Sequence, residues 1–239
     1  MTTKNKFNII PMPRPKDNND ELDPILPPLH TLFIGSTGSG KTNLILNMVL
    51  RNRMFGYLNY YKKIYILSPS SCFDNTFDIV NSYIDTYCEK RKKKGLAEIE
   101  LFDEYNDEIL EKIIEEIQSD YVPNGDRTLV LLDDCINELQ SNISSVQMLF
   151  TRGRHMKISV WISSQAYKKV PKVLRTNSID IIIFSGSSKR EIKDLWEEFG
   201  TDSLDEFYKL YKEYTKEKYS FLQIRTRYSE SRYIKNFNK

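Results

Sequence analysis

The stretch "HTLFIGSTGSGKTNLILNMVL" (residues 30–50) places a short glycine-rich turn between an apolar run and a second, periodic apolar segment. Three of the nine glycines of the chain fall within positions 35–40, directly before Lys41 and Thr42. The turn fits the pattern GxxxxGK[ST], in which glycines let the backbone curl so that several N–H groups face one anion. The helix that follows adds its positive end. The stretch therefore predicts a phosphate-binding loop between a buried strand and a helix.

The chemistry of such a loop assigns roles to its last two residues. Lys41 is expected to reach the β- and γ-phosphates of a nucleotide, and the Thr42 hydroxyl is expected to coordinate Mg²⁺. The predicted cofactors are a nucleoside triphosphate and Mg²⁺. The predicted nucleotide-binding residues are Gly35, Ser36, Thr37, Gly38, Ser39, Gly40, Lys41 and Thr42.

Further short apolar runs recur along the chain, and most do not alternate with polar residues, which is typical of strands buried on both faces. Helical patterns lie between them. This alternation predicts an α/β fold in which helices flank a mostly parallel central sheet. The predicted strands are 29–34, 63–68, 128–134, 158–164, 179–184 and 220–224, and the predicted helices are 42–51, 106–119, 144–151, 189–199 and 204–216.

Composition predicts how the chain is divided. Residues 1–28 hold six of the nine prolines and are expected to form an extended arm, whose apolar patch at 7–10 can dock on a domain. Residues 29–225 are expected to form the nucleotide-binding domain. Residues 226–239 are expected to form a basic tail. The run "EKRKKKG" (89–95) interrupts the alternation and is expected to be an exposed excursion.

Charge, cysteine content and hydropathy restrict the class of protein. The net charge is +2, so any nucleic-acid binding must depend on local patches. The three cysteines are far apart and form no CxxC pair, which argues against a disulfide framework or a zinc site. No apolar run approaches about 18 residues, and no signal-peptide pattern is seen. We expect a soluble intracellular protein without a membrane segment.

Two polar strand ends complete the predicted site. The run "TLVLLDD" (128–134) ends in Asp133, which is expected to hold the Mg²⁺ shell, and Asp134, which is expected to orient and deprotonate the attacking water. The run "ISVWISSQ" (158–165) ends in Gln165, which is expected to contact the γ-phosphate or the water. The alternative roles are helix capping for the aspartates and a loop position for the glutamine.

Together these motifs resemble the FtsK–HerA superfamily of DNA-pumping ATPases, and within it the genome-packaging ATPases of large DNA viruses, virophages and related icosahedral viruses. The resemblance covers about residues 29–185. It implies a RecA-like P-loop core with strand order 5-1-4-3-2. The blocks that carry it are "GSTGSGKT" (35–42), "LVLLDD" (129–134) and "RGRHMKISVWISSQAYKKVPKVLRTNSIDIIIF" (152–184).

The resemblance also implies a function. The expected protein is a homo-oligomeric ring, pentamer or hexamer, that uses ATP to drive double-stranded DNA into a capsid and contacts a capsid protein. It would act at the virus assembly site in the host-cell cytoplasm or in the virion. Arg154 occupies the position from which the family supplies an arginine to a neighbouring subunit's nucleotide. Arg152 and Arg175 are the alternates.

Three basic stretches are candidates for contact with DNA phosphates: 90–94, 166–172 and 225–239. No base-reading element is visible, so DNA binding is expected to be independent of sequence. Three other classes of protein stay open at this point. They are a cellular or plasmid-type DNA pump, a small-molecule kinase and a nucleotide-binding structural protein without hydrolysis.

Overall fold

The computed structural model describes residues 30–50, 57–141, 143–200, 203–227 and 232–237. The predicted arm, 1–28, lies outside these ranges. Eight strands form one sheet in the order β3-β2-β4-β5-β1-β6-β7-β8. The strands are β1 His30–Ile34, β2 Lys63–Leu67, β3 Glu98–Phe102, β4 Thr128–Leu132, β5 Ile158–Ser164, β6 Asp180–Phe184, β7 Phe221–Arg225 and β8 Tyr233–Lys235.

Helices cover both faces of the sheet, and all five predicted helical segments are found within a few residues of their expected bounds. The helix expected over 106–119 is capped by the Asn106 side chain, which accepts from the Ile109 N–H, and it continues as a π-helical turn over Ile117–Tyr121. The helices are α1 Lys41–Leu50, α2 Tyr57–Tyr60, α3 Asp78–Thr86, α4 Glu89–Lys93, α5 Asp107–Glu116, α6 Ile136–Ser141, α7 Ser144–Arg152, α8 Lys172–Asn177, α9 Lys189–Phe199 and α10 Leu204–Tyr214.

The strand directions confirm a mostly parallel sheet. Neighbours from β3 to β6 are parallel, whereas β7 is antiparallel to β6 and β8 is antiparallel to β7. All six predicted strands are present, and β8 lies inside the range expected to be a basic tail. Since the parallel strands share one direction, their carboxyl ends meet at one edge of the sheet, where a ligand crevice is expected in this class of fold.

The expected order 5-1-4-3-2 needs correction. It describes the inner strands β6-β1-β5-β4-β2, but the sheet extends further on both sides, with β3 beyond β2 and the β7–β8 pair beyond β6. The sequence pattern did not predict β3 because "EIELF" (98–102) alternates glutamate with apolar residues. That alternation suits a half-buried edge strand rather than the continuous apolar runs used to find the inner strands.

Alternating strand residues build two apolar layers. On β1, Leu32 and Ile34 face the layer covered by α5 to α10, while Phe33 faces the layer covered by α1, α2 and α3. On β5, Trp161 lies in the second layer, where its ring packs against Phe33 at 5.6 Å between centroids. Burial on both faces explains why these strands read as continuous apolar runs.

Charge is also buried at the β2–β3 edge. Lys63, on β2, is only 5% exposed, and its ammonium lies 2.9 Å from a carboxylate oxygen of Glu100 and 3.4 Å from one of Glu98, both on β3. A third carboxylate, that of Glu116 at the end of α5, lies 3.8 Å away. The buried cation is therefore compensated from two elements, as burial of a charge requires.

Candidate nucleotide-binding site

The glycine-rich loop joins β1 to α1 at the carboxyl edge of the sheet, as predicted. Its first residue, Gly35, donates its N–H to the Ser164 carbonyl at the end of β5, 3.1 Å away. A side chain at this position would collide with neighbours, since a Cβ on Gly35 would lie 2.7 Å from Ser39 Oγ and 2.8 Å from Phe184 Cβ. The loop is therefore packed directly between the ends of β5 and β6.

Lys41 begins α1 and turns its side chain back over the loop. Its ammonium donates to the carbonyl oxygens of Gly35 at 2.7 Å and Ser36 at 3.1 Å. Burial lowers the pKa of Lys41, while the nearby carboxylates of Asp133 and Asp134 act in the opposite direction. A cation held by two neutral carbonyls gains stronger partners when phosphate oxygens enter the loop.

Thr42 and Asp133 meet across 91 positions of sequence. The Thr42 hydroxyl lies 3.2 Å from Asp133 Oδ2, and the Ser163 hydroxyl donates to Asp133 Oδ1 at 2.5 Å. Ser68, which follows β2, donates to the same carboxylate at 3.4 Å. Asp133 is 3% exposed, and burial raises its pKa, partly opposed by the hydrogen bonds from Ser163 and Thr42.

This donor set fits a Mg²⁺ ion. One hydroxyl and one buried carboxylate face each other beside a phosphate loop, and Mg²⁺ in phosphate sites commonly takes one or two protein oxygens together with substrate phosphates and water. The raised pKa of Asp133 indicates a carboxylate whose charge would be better compensated by a cation. No larger group of three or more His, Cys, Asp or Glu side chains suited to a metal is present in the described part of the chain.

Asp134 and Gln165 come together at the same edge, next to this pair. The Gln165 amide lies within hydrogen-bond distance of the Asp134 carboxylate, and both side chains are exposed. The backbone of Asp134 has a φ of +56°, and its N–H donates to Ser163 Oγ at 3.1 Å. This left-handed conformation is uncommon for a residue other than glycine, although aspartate tolerates it better than most. Asp134 is exposed at this position, whereas the preceding Asp133 is buried.

Arg154 lies far from this site within its own chain. It is exposed in the turn before β5, whereas Gln165 follows the other end of that strand, and the seven residues of β5 between them span about 23 Å. Arg154 shares that end of the sheet with Arg227, which follows β7. Burial lowers the pKa of Arg227, and the nearby positive charge of Arg154 lowers it further. Neither arginine has an ion-pair partner among the residues that the structure describes.

Arg175, one of the two alternates to Arg154, is used inside the chain. It is buried, forms an ion pair with Glu198 of α9, and places its guanidinium 4.7 Å from the centre of the Tyr167 ring. Tyr167 is itself buried, and its hydroxyl donates to Glu198 at 2.6 Å. The aromatic residue of the stretch 166–172 therefore anchors that stretch to α9.

The basic stretches differ in how much of their charge is available. Lys168 is paired with Asp194 at 3.5 Å and Glu198 at 3.7 Å. In contrast, residues 90–94 overlap the short helix α4, whose lysines are all exposed. Within the described ranges, no carboxylate lies at ion-pair distance from these lysines. The excursion expected over 89–95 is therefore a surface helix followed by a turn.

The hydroxyl groups around Asp133 were not among the residues predicted from the sequence. Ser163 lies inside the otherwise apolar β5, and Ser68 follows directly on β2. A small polar residue in or just after a buried strand is the signal that would have identified them. They fix the orientation of the Asp133 carboxylate.

The fold and this loop define a P-loop nucleotide-binding protein of the α/β class. The chain belongs to the family described as the Poxvirus A32 protein, whose profile matches residues 25–222. Among curated proteins it is similar to uncharacterized protein 075L of Invertebrate iridescent virus 6, with 26% identity over 168 residues. The match covers 69% of this chain and 57% of that protein, so the chain spans little more than half the length of this relative.

Solved structures share the fold. The genome packaging NTPase B204 of Sulfolobus turreted icosahedral virus 2, in complex with AMP, superposes with a TM-score of 0.59 at 15% identity, over 84% of this chain and 94% of that one. The pCW3 conjugation coupling protein TcpA superposes with a TM-score of 0.54 at 13% identity, over 87% of this chain and 59% of that one. The expected viral relationship is thus confirmed at the level of the Poxvirus A32 family, and the fold is shared with a viral genome packaging NTPase.

No helix among the described residues is both long and apolar enough to cross a membrane.

Proposed function

We propose that this protein is an ATP-hydrolysing, Mg²⁺-dependent motor that moves double-stranded DNA into a viral capsid. The observation that carries the proposal is the juxtaposition of Asp134 and Gln165 beside the Thr42–Asp133 pair, at the edge of the sheet where the phosphate loop lies. Membership of the Poxvirus A32 family supports the viral setting. The fold shared with B204, which has also been solved with AMPPCP and with ATP-γS, supports ATP as the nucleotide.

Binding of the nucleotide follows from the loop and its lysine. Mg²⁺, held by Thr42 and Asp133 when bound, supplies neutralisation of the charge on the β- and γ-phosphates. Lys41 exchanges the carbonyl oxygens of Gly35 and Ser36 for phosphate oxygens, which are stronger acceptors for an ammonium group. The first-turn amides of α1 add further donors.

Hydrolysis depends on Asp134 and Gln165. A water molecule beside the γ-phosphate donates a hydrogen bond to the Asp134 carboxylate, which takes up its proton as the water oxygen attacks the γ-phosphorus. The bond from that phosphorus to the β–γ bridging oxygen breaks, and ADP and phosphate are the products. The Gln165 amide, which holds that carboxylate in the structure, is free to donate to the γ-phosphate or to position the water. Gln165 then links the presence of the γ-phosphate to the segment that follows it, whose Tyr167 is anchored on α9.

The site is completed between subunits. Arg154 lies at the end of the sheet opposite to its own nucleotide site, so a ring of copies is the arrangement that brings it to a neighbour's γ-phosphate. A guanidinium supplied there in the transition state contributes about 10³–10⁵ in rate. The nearby positive charge of Arg227 strengthens the attraction of this end for an anion. Arg152 is the remaining alternate, since Arg175 is held by Glu198.

The wider assembly is a ring of five or six copies that contacts DNA through its backbone, without reading sequence, and docks on a capsid protein. It acts at the assembly site in the host-cell cytoplasm or in the virion. The exposed lysines of 90–94 are the better-supported DNA contact, because Lys168 in the stretch 166–172 is already paired with two carboxylates.

The test is steady-state ATP turnover of the purified protein with Mg²⁺, in the presence and absence of double-stranded DNA of unrelated sequences. We expect stimulation by every sequence and a loss of stimulation as salt is raised. A small phosphate acceptor that raises turnover, with no effect of DNA, would instead identify a kinase. Turnover that is indifferent to both would remove the proposal.

A second function in the same class is a DNA pump of the conjugation type, which the fold shared with TcpA favours. The two differ in the partner that holds the ring. Co-assembly with capsid protein in cells that produce particles supports the packaging motor. Association with membrane fractions in place of capsids supports the alternative.

A further inference from the structure

An exposed aromatic side chain lies against the phosphate loop on the side away from Asp134. A Cβ added to Gly40 would lie 3.1 Å from Cδ1 of the Tyr219 ring, so this ring touches the loop residue that precedes Lys41. Tyr219 is 42% exposed, one of the few large apolar side chains in the described residues with such exposure. Its ring is therefore in contact with the loop and open to solvent at once.

The position of this ring is set by its backbone. Tyr219 has a φ of +67°, a left-handed conformation that costs free energy for a bulky residue and that persists only where surrounding contacts impose it. The next residue supplies such contacts. Ser220 is buried, and both its N–H and its hydroxyl donate to the Glu217 carbonyl, at 3.1 Å and 2.6 Å. Strain at an exposed aromatic beside a ligand loop points to a function.

The sheet order defines which part of a nucleotide this ring can meet. Tyr219 precedes β7, whose first residue, Phe221, pairs with Phe184 at the carboxyl end of β6. The residues expected to face the γ-phosphate, Asp134 and Gln165, follow β4 and β5, on the other side of β1. With the γ-phosphate at that side and the β-phosphate at the loop, the rest of the nucleotide extends away from Asp134, toward β6 and β7.

We propose that Tyr219 stacks on the purine base of the bound nucleoside triphosphate and so forms the base subsite of this site. The face of the Tyr219 ring is accessible to a base. The Lys218 ammonium lies 4.8 Å from the ring centre, but this exposed, flexible cation is a weak partner that a base can displace. Stacking on a ring face recognises the flat shape of a base rather than its edge. Adenine and guanine are therefore both accepted. The inference rests on the proposed nucleotide-binding function.

The test separates base from phosphate. Dissociation constants are measured with Mg²⁺ for ATP and for inorganic tripolyphosphate, on the wild type and on Tyr219→Ala, Tyr219→Gly, Tyr219→Phe and Tyr219→Trp. We expect the alanine and glycine variants to bind ATP about 5- to 150-fold more weakly, the range reported for loss of one base–aromatic stack. Tripolyphosphate affinity should be unchanged, and the phenylalanine and tryptophan variants should bind ATP like the wild type. Glycine adopts the positive φ without strain, so Tyr219→Gly guards against loss of ATP binding through misfolding.

Phe73→Ala is the matched control. Phe73 is the most exposed large aromatic side chain among the described residues, at 90%, and it lies in the loop that follows β2, on the Asp133 side of the phosphate loop. Equal weakening of ATP and tripolyphosphate in Tyr219→Ala and Tyr219→Gly would mean that the ring only shapes the loop, which overturns the proposal. Unchanged ATP affinity, or an equal effect of Phe73→Ala, does so too. None of these outcomes depends on whether DNA stimulates turnover.

Discussion

The side-chain amide of Gln165 donates to the carboxylate of Asp134, with Nε2 lying 3.2 Å from Oδ1 and 3.3 Å from Oδ2. The two residues follow different strands and are separated by 31 positions in the sequence. This contact ties the proposed base to the proposed sensor. Whatever draws the Gln165 amide toward a γ-phosphate also releases the Asp134 carboxylate to a water molecule. Loss of either side chain should therefore affect hydrolysis more than binding.

The first prediction separates Asp134 from Lys41. Asp134→Asn keeps the shape of the site and its neighbour Gln165 but cannot accept a proton, so ATP turnover should fall by about 10²–10⁴ while the ATP dissociation constant stays close to that of the wild type. Lys41→Ala should lose both ATP binding and turnover, because the buried phosphate charge no longer has the Lys41 ammonium to compensate it. Binding by calorimetry and turnover by phosphate release check this. If both variants lose binding to the same extent, Asp134 is not the base.

The second prediction concerns the shared site. Arg154→Ala should bind ATP and hydrolyse it about 10³–10⁵ more slowly. A mixture of Arg154→Ala with Lys41→Ala should recover turnover, because subunits with an intact loop receive Arg154 from loop-deficient neighbours. Arg175→Ala is not a suitable comparison, because it breaks an internal ion pair. Arg152→Ala tests the remaining alternate, and it should retain turnover if Arg154 is the shared arginine. A silent mixture of proteins that co-assemble would refute the assignment of Arg154.

The third prediction concerns DNA. If phosphate contacts carry the binding, the logarithm of the affinity should fall linearly with the logarithm of the salt concentration, by about 0.9 for each phosphate contacted. Replacing the lysines of 90–94 by glutamine should flatten this slope and reduce DNA-stimulated turnover, with basal turnover retained. Replacing Lys168, Lys169 and Lys172 should change the slope less, because Lys168 is paired internally. The reverse order of effects would move the contact to 166–172.

The fourth prediction concerns stability and pH. Burial raises the pKa of Asp180 from 3.8 to about 6, so its contribution to stability is fully present below pH 3.8 and is lost as the pH rises through 6. Burial, with Arg154 nearby, lowers the pKa of His30 from 6.5 to about 4. Its contribution is fully present above pH 6.5 and is lost as the pH falls through 4. The contributions of Asp180 and His30 to the free energy of unfolding therefore change with pH in opposite directions, over nearly the same pH range.

Asp180→Asn should therefore reveal the pH dependence of the unfolding free energy that is due to His30, because the opposing contribution of Asp180 is removed. The asparagine can still accept the hydrogen bond that Gln223 donates to Asp180, 2.8 Å in length. The variant should lose about 3 kcal/mol of unfolding free energy between pH 6.5 and pH 4 relative to the wild type. Urea titrations of both proteins at four pH values measure the difference. His30→Gln should shift the slope in the opposite sense, and parallel curves for Asp180→Asn and wild type would contradict the prediction.

The inner part of the fold could be predicted from the sequence because its signals are local. The apolar runs of β1, β2, β4, β5 and β6 follow from burial on both faces, and the phosphate loop follows from its glycines. The edge strand β3 was missed because an edge strand is half polar. The role of the Ser163 hydroxyl was missed for a different reason. Its partner, Asp133, is 30 positions away in the sequence, and a hydrogen bond between residues so far apart leaves no periodic pattern in the sequence.

Contacts between residues on different strands or helices could not be predicted from the sequence for the same reason. Nothing near Tyr219 in the sequence indicates the loop glycine, Gly40, that its ring touches, since the contact depends on β7 lying beside β6. Arg175 could not be separated from Arg154 by sequence, because the partner that holds it, Glu198, lies on a later helix. Long-range pairing decides both cases.

The buried ammonium of Lys63 has a consequence for how the edge of the sheet assembles. Successive side chains of a strand alternate between the two faces, so a slip of β2 by one residue would carry Lys63 into the apolar layer beneath α1 and α3, away from Glu98 and Glu100. A single misaligned pairing would thereby leave a charge unpaired among hydrocarbon side chains. Lys63 thus helps to specify the register of β2 and β3, because a misaligned pairing would cost free energy. The glutamates of β3 that pair with Lys63 also place negative charge on this edge strand, which disfavours pairing with strands of other molecules.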